Sequence, residues 1–235
     1  VPAVIISMAV LSLMGYLSSK AIIQTSAGTE MSQCLSVAMG SIEMSLSNNR
    51  MVAETMARGV EAVQRQAVKG EQTASDWDAA AYQEILTSFV GSNPETFGGG
   101  IWFEPYQYRP EQRYFSPYCM RQNGAVTYVD NYSLGEGVYY TDQDWYTNAA
   151  NTTQKSVWSA PYYDEFAQIS MVTSSAPIYD ETGRLLGVAT ADIDLTQMQQ
   201  MVLSLDVVAN GRAFLIDDTG VYIADEDSEK LLSAN

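Results

Sequence analysis

The sequence predicts an α+β fold: a long N-terminal helix, then an antiparallel-sheet lobe. Two patterns carry this. Apolar residues recur at Leu35, Ala38, Ile42, Leu46, Ala53, Met56, Val60, Val63 and Ala67 in steps of mostly three and four, which is one face of an amphipathic helix. After Gly91-Ser92-Asn93-Pro94 the period changes to short aromatic and β-branched runs separated by turn residues, the pattern of antiparallel strands. With 235 residues, 46% of them apolar, the chain can bury a core.

Taken in order, residues 1–19 contain no charge and are rich in Val, Ile, Leu, Met and Ala, which predicts a transmembrane helix. A signal-peptide core is the competing reading, with Ser18-Ser19 or Thr25-Ser26-Ala27-Gly28 as small-residue sites. The absence of a Pro or Gly-rich break before the amphipathic stretch favours an uncleaved span continuous with a spine helix over 20–70. Forty to fifty helical residues reach about 60–75 Å, longer than a small core, so the spine is expected to pair with a second copy. Ser47-Asn48-Asn49-Arg50 marks a candidate bend or break. Ser75 or Asp76 is the expected N-cap of a second helix ending near Phe89.

Strands are expected at 98–103, 113–120 and 125–129, the last two joined by Gln122-Asn123-Gly124, and at 157–161, 169–178 and 185–193. Asp180-Glu181-Thr182-Gly183 turns between the final pair, and Thr196 to Leu205 reads as a short helix. A hairpin is expected around Asp218-Thr219-Gly220. The lack of an initiator Met and the stop at Asn235 lead us to expect a fragment of a longer protein.

Charge narrows the function. Twelve basic against 28 acidic residues give −16, a field that repels phosphate backbones, so no nucleic-acid partner is expected. Histidine is absent, which removes the commonest general base and zinc ligand. Cys34 and Cys119 fit no metal or redox spacing, and buried free thiols are the default reading. No P-loop or dinucleotide fingerprint occurs, and the acidic segment 217–227 lacks the ligand order of a calcium loop. No cofactor and no metal are expected.

Tyrosines and tryptophans concentrate between 102 and 163, a composition suited to walling a small polar ligand. Asp142, Asp144, Asp164 and Asp192 among them can face an ammonium group. As enzyme candidates, Asp164 and Glu165 would point to opposite faces of a strand, while Asp192 and Asp194 can share one.

Trp145-Tyr146, the run Trp158-Ser159-Ala160-Pro161-Tyr162-Tyr163-Asp164-Glu165 and the strand Gly187 to Leu195 occur in an order and spacing that resembles a double Cache domain. This is the extracytoplasmic ligand-sensing module of bacterial and archaeal transmembrane receptors, and the resemblance covers roughly residues 30 to 235. It implies two PAS-like lobes on one spine: a membrane-distal ligand-binding lobe over 71–205 and the beginning of a truncated membrane-proximal lobe over 206–235. It also implies a cell-membrane location with this domain outside the cytoplasm, a homodimer, a downstream cytoplasmic signalling domain, and no catalysis here. Tyr140, Gln143, Asp144, Trp145, Tyr146, Tyr162, Asp164, Thr173 and Asp192 are the implied ligand contacts.

In the amino-acid-sensing branch of that family a Tyr stands seven residues before the Trp and an Arg two before it. Here those positions are Val138 and Gln143, while Trp145, Tyr146 and Asp192 match. Arg is the bidentate carboxylate clamp, so an amine or neutral polar ligand is expected in place of an ordinary amino acid. A carboxylate-based hydrolase, secreted or membrane-anchored, and a non-signalling adhesion or structural ectodomain are the alternatives.

Overall fold

The computed structural model describes the backbone of residues 2–67, 79–129, 132, 137–205 and 212–232; the side chains of 2–13, 15, 21–23, 66, 67, 79 and 228 are outside the description. A single helix, α1 (Pro2–Ala67), runs 66 residues. The expected break at 47–50 does not occur. Asn49 is fully buried and its Nδ2 donates to Ser45 O at 3.0 Å, so the amide bonds within the helix instead of ending it. The expected membrane span over 1–19 falls mostly outside the described side chains, and among the described residues no helix is long and apolar enough to cross a membrane. The expected cap at Ser75 or Asp76 also lies outside them.

Helix α2 (Ala79–Ser92) precedes strands β1 (Gly98–Phe103), β2 (Tyr118–Gln122) and β3 (Ala125–Val129). Helix α3 (Asp144–Ala150), strands β4 (Val157–Trp158), β5 (Tyr162–Asp164), β6 (Ile169–Tyr179) and β7 (Leu185–Asp194), and helix α4 (Leu195–Leu203) complete the lobe. Seven strands form one antiparallel sheet in the order β3-β2-β1-β7-β6-β4, with β5 also pairing with β6. A separate hairpin of β8 (Leu215–Ile216) and β9 (Tyr222–Ala224) follows.

Local chemistry sets the turns. Asn123 and Gly124 both have positive φ, 52° and 80°, as a two-residue hairpin turn requires. Asp180 Oδ1 accepts from the Thr182 hydroxyl and from Thr182 N and Arg184 N, which closes the β6–β7 turn and holds its carboxyl down at about 2, the Thr182 hydroxyl contributing most. Strand β2 starts later than the expected residue 113. Pro117 has no N–H for a ladder, yet Phe103 N still reaches Phe115 O at 3.2 Å and Ile101 N reaches Pro117 O at 3.1 Å.

One sheet face packs on α1 and α2, burying Ala53, Met56, Ala57 and Val60 of α1 and Tyr82, Leu86 and Val90 of α2 against Ile101, Phe103, Cys119, Ala176, Ala189 and Ala191. Polar ties lock α1 to β6: Glu61 Oε1 accepts from Tyr179 N at 3.0 Å, and Arg58 donates to Glu61 and to Pro177 O. Further toward the N-terminus the helix is largely uncovered, with Met14, Leu17, Leu35, Met39 and Met44 exposed. A smaller apolar cluster of Val172, Ile193, Leu195 and Met198 joins Ile42 and Leu46 of α1 to Leu215 and Ile223 of the hairpin.

Candidate ligand-binding cavity

The opposite sheet face carries the site, and glycines make it possible. Gly98 and Gly100 of β1 pair with Met120 and Tyr118 of β2 on one side and with Asp192 and Thr190 of β7 on the other. Side chains at those two glycines would point onto this face. A Cβ at Gly98 would overlap the Tyr118 hydroxyl, and one at Gly100 would lie 2.9 Å from Tyr118 Cδ2. Without them the Tyr118 ring lies across β1 and donates to Asp192 Oδ2 at 2.7 Å, one strand beyond its neighbour.

Asp192 accepts a second bond from Thr173 Oγ1 at 2.8 Å, and the Thr173 hydroxyl meets that of Tyr162 at 2.8 Å. Asp164, at the end of β5, accepts from the Tyr132 hydroxyl at 2.5 Å and from Ala167 N at 2.7 Å. Trp102 Nε1 donates to Thr190 Oγ1 at 2.8 Å. Asp192 and Asp164 are only 3% and 5% exposed.

These residues, with Trp145 and Met171, enclose one cavity. It holds about 220 Å³ between lining atoms when its mouth is included, but only about 10 Å³ is open to the centre of a water molecule, room for about one water. Five aromatic rings and two carboxylates line it, and none of the lining residues is basic. Burial pushes the Asp192 carboxyl up to about 7, with the charge of Asp164 adding to the rise while the Tyr118 and Thr173 hydroxyls oppose it. Tyr118, Tyr132 and Tyr162 are all pushed well above the ordinary phenol range, first by burial, so they serve as neutral hydroxyls.

Of the residues singled out in sequence, Trp145, Tyr162, Asp164, Thr173 and Asp192 meet around this cavity, and four do not. Tyr140 is buried behind it, its hydroxyl donating to Phe103 O at 2.5 Å. Tyr146 turns away, donating to Glu104 Oε1 at 2.7 Å beside an open cleft lined also by Arg184. Gln143 and Asp144 stand at the start of α3, where residue i and residue i+1 cannot face the same way; Gln143 Nε2 reaches back to Tyr139 O at 3.4 Å and Asp144 is exposed. The sequence reading missed Trp102, Tyr118, Tyr132, Met171 and Thr190. Period-two alternation from Asp192 finds Thr190, and from Thr173 finds Met171. The spaced glycines opposite Tyr118 were the signal for that ring.

A helix-backed antiparallel sheet whose free face closes over a small buried polar cavity defines a sensory domain of the PDC type. The family described as methyl-accepting chemotaxis protein-like, first PDC sensor domain, matches residues 82–200, half of the chain, and the chain belongs to it. The chain is 25% identical over 208 residues to the methyl-accepting chemotaxis protein McpA of Pseudomonas putida, covering 86% of this chain and 31% of that receptor's length. In fold it is similar to the extracellular domain of mmHK1S-Z3, named for a histidine kinase, at TM-score 0.66 with 22% identity over 81% of this chain and 68% of that one. It is similar also to the ligand-binding domain of the Campylobacter jejuni chemoreceptor Tlp3 in complex with L-valine, at TM-score 0.63 and 16% identity over 92% of this chain and 77% of that one.

Proposed function

We propose that this chain is the extracytoplasmic sensing part of a membrane-anchored receptor and that its cavity, widening from the single-water room it has here, takes a small cationic or neutral polar ligand. The observation that carries the ligand class is the pairing of two buried carboxylates with five aromatic faces and no basic lining residue. Ammonium groups are favoured there by charge and by cation–π attraction. An α-amino acid would bring a carboxylate into a cavity already negative, with Gln143 outside it. Catalysis has no support in the carboxylates, since Asp194 caps α4 by accepting from Thr196 N at 2.8 Å and does not pair with Asp192.

Residues 1–19 are proposed as the membrane anchor, 71–205 as the distal lobe and 206–235 as the start of a second lobe, with signalling output in a cytoplasmic domain beyond this chain. Two copies are proposed to meet along the uncovered face of α1; cysteines placed at Met39 or Met44 should crosslink between subunits in membranes, and a lack of crosslinks at both would end that idea.

Calorimetry with a panel of amino acids and a panel of amines tests the ligand class. Amines should bind and ordinary amino acids should bind weakly or not at all. Replacing Asp192 by Asn should weaken an amine by about 2–5 kcal/mol, because an ammonium would lose its buried counter-charge. Micromolar binding of an ordinary amino acid, unaffected by Asp192→Asn, would refute the class.

A further inference from the structure

We infer that the cavity exchanges a proton for its cation: Asp192 carries a proton when no ligand is bound and gives it to solvent when a cation enters. The inference rests on the cationic ligand class proposed above. Two buried carboxylates share one cavity and, among the described residues, no positive charge lines it, so keeping both ionised requires a cation or a large desolvation cost.

Every element packed against Asp192 faces it with a neutral or negative group. Strand β2 presents Tyr118, β6 presents Thr173 and Met171, β5 presents Tyr162 and Asp164, α3 presents Trp145, and β1 presents Trp102 beside glycine backbone. Tyr132 completes the wall. Arg121, although on β2, lies on the helix-packed face and donates to the carbonyls of Val90, Asn93 and Thr96 at the end of α2.

The hydrogen bonds fit both states of Asp192. The chain Tyr162–Thr173–Asp192–Tyr118 consists of a carboxyl and three hydroxyls, and the Tyr162–Thr173 link can run in either direction. With Asp192 ionised, Thr173 and Tyr118 both donate to it. With Asp192 protonated, its own O–H donates to one of them, whose hydroxyl hydrogen swings toward the cavity or along the chain. In either state each of these oxygens keeps at least one hydrogen bond along the chain of four. The carboxyl value of about 7 places the exchange near neutrality. On cation entry the Asp192 O–H bond breaks, the proton leaves to solvent, and net charge in the cavity is unchanged.

Two arms test this on the protein with and without Asp192→Asn. In the ligand-free arm, melting temperature is followed from pH 4 to pH 8. A folded-state value raised above the unfolded one contributes stability that is full below the unfolded value and lost as pH rises through the folded value. The unmodified protein should therefore lose several degrees relative to Asp192→Asn as pH rises to 8, and a constant difference would overturn proton uptake.

In the ligand arm, methylammonium, ethanolamine and putrescine are titrated calorimetrically at pH 5.5, 6.5 and 8.5, in two buffers of different protonation enthalpy. Affinity should rise about tenfold per pH unit below neutrality, with close to one proton released at pH 5.5 and almost none at pH 8.5. Binding at the same affinity throughout would overturn the exchange and leave the ligand class standing. Binding of none of the three, with the ligand-free arm positive, would overturn both. Should Asp192→Asn fail to fold, the two-buffer proton count on the unmodified protein decides alone.

Discussion

Along β7 the residues alternate between two different environments. Ala189, Ala191 and Ile193 look toward helices, whereas Val188, Thr190 and Asp192 look toward the aromatic cavity. Strand β1 makes the same division, with Ile101 and Phe103 against the helices and Trp102 on the other side. The helix-packed face sets alanines and aliphatic side chains against α1 and an aromatic group, Phe103 with Tyr82, Tyr108 and Phe115, beside α2, so its contribution is burial, about 25 cal/mol per Å² of apolar surface. The cavity face spends aromatic bulk on holding hydroxyls and carboxylates in fixed places: Tyr118 and Thr173 donate to Asp192, and Tyr132 and Ala167 N donate to Asp164. Stability should therefore reside mainly on one face and ligand chemistry on the other.

The largest separation should come from Met56→Ala. Met56 is 1% exposed against the helix-packed face, and truncation of a buried side chain of this size costs about 2–5 kcal/mol. Denaturant unfolding should register that loss while amine affinity and its pH dependence stay where they are. A change in affinity comparable to the loss of stability would mean that the two faces are energetically one.

Gly98→Ala reverses the test. The added methyl overlaps the Tyr118 hydroxyl on the cavity face, and the ring must leave Asp192 for it to fit. Losing that donor and crowding the sheet should cost about 1–3 kcal/mol of stability. Asp192 loses one of the two bonds that hold its carboxyl down, so it should titrate at higher pH, read by the midpoint of the pH dependence of amine binding. An unchanged midpoint would show that the glycine serves only backbone packing.

The same alternation decides what the sequence could reveal. The spine, the antiparallel sheet, the three hairpin turns and the short helix after Asp194 were legible because period and turn chemistry are local. Trp145, Tyr162, Asp164, Thr173 and Asp192 were reachable through their resemblance to a receptor family. Tyr118 and Tyr132 were not, because their reach depends on what lies across a neighbouring strand: an empty position at Gly98 for one, a carboxylate at the end of β5 for the other. Tyr140 and Tyr146 lie outside this cavity for a related reason. In a seven-residue helix the facing of each side chain follows from how the helix sits on the sheet, and α3 presents Trp145 to the cavity while Tyr146 turns to Glu104.

Asp192 and Asp194 make the finest comparison, since they stand two residues apart on one strand and the sequence alone allows them to act as a pair. Asp192 lies in the cavity between hydroxyls. Asp194 sits where β7 ends, with φ −70° and ψ 118°, and caps α4 through Thr196 N. That helix packs its buried Leu195, Met198 and Val202 inward. Asp194→Ala removes an N-cap and should cost about 0.5–2 kcal/mol of stability, and Asp194→Asn only a small part of that, because Asn caps nearly as well. Neither change should alter amine affinity or the proton count, since no atom of Asp194 lines the cavity. If Asp194→Ala weakens amine binding while Asp194→Asn restores it, the cap itself supports the cavity through β7, and the capped start of α4 becomes the route by which an occupied site reaches the spine at Ile42 and Leu46. Equal binding in all three proteins would confine α4 to a structural role.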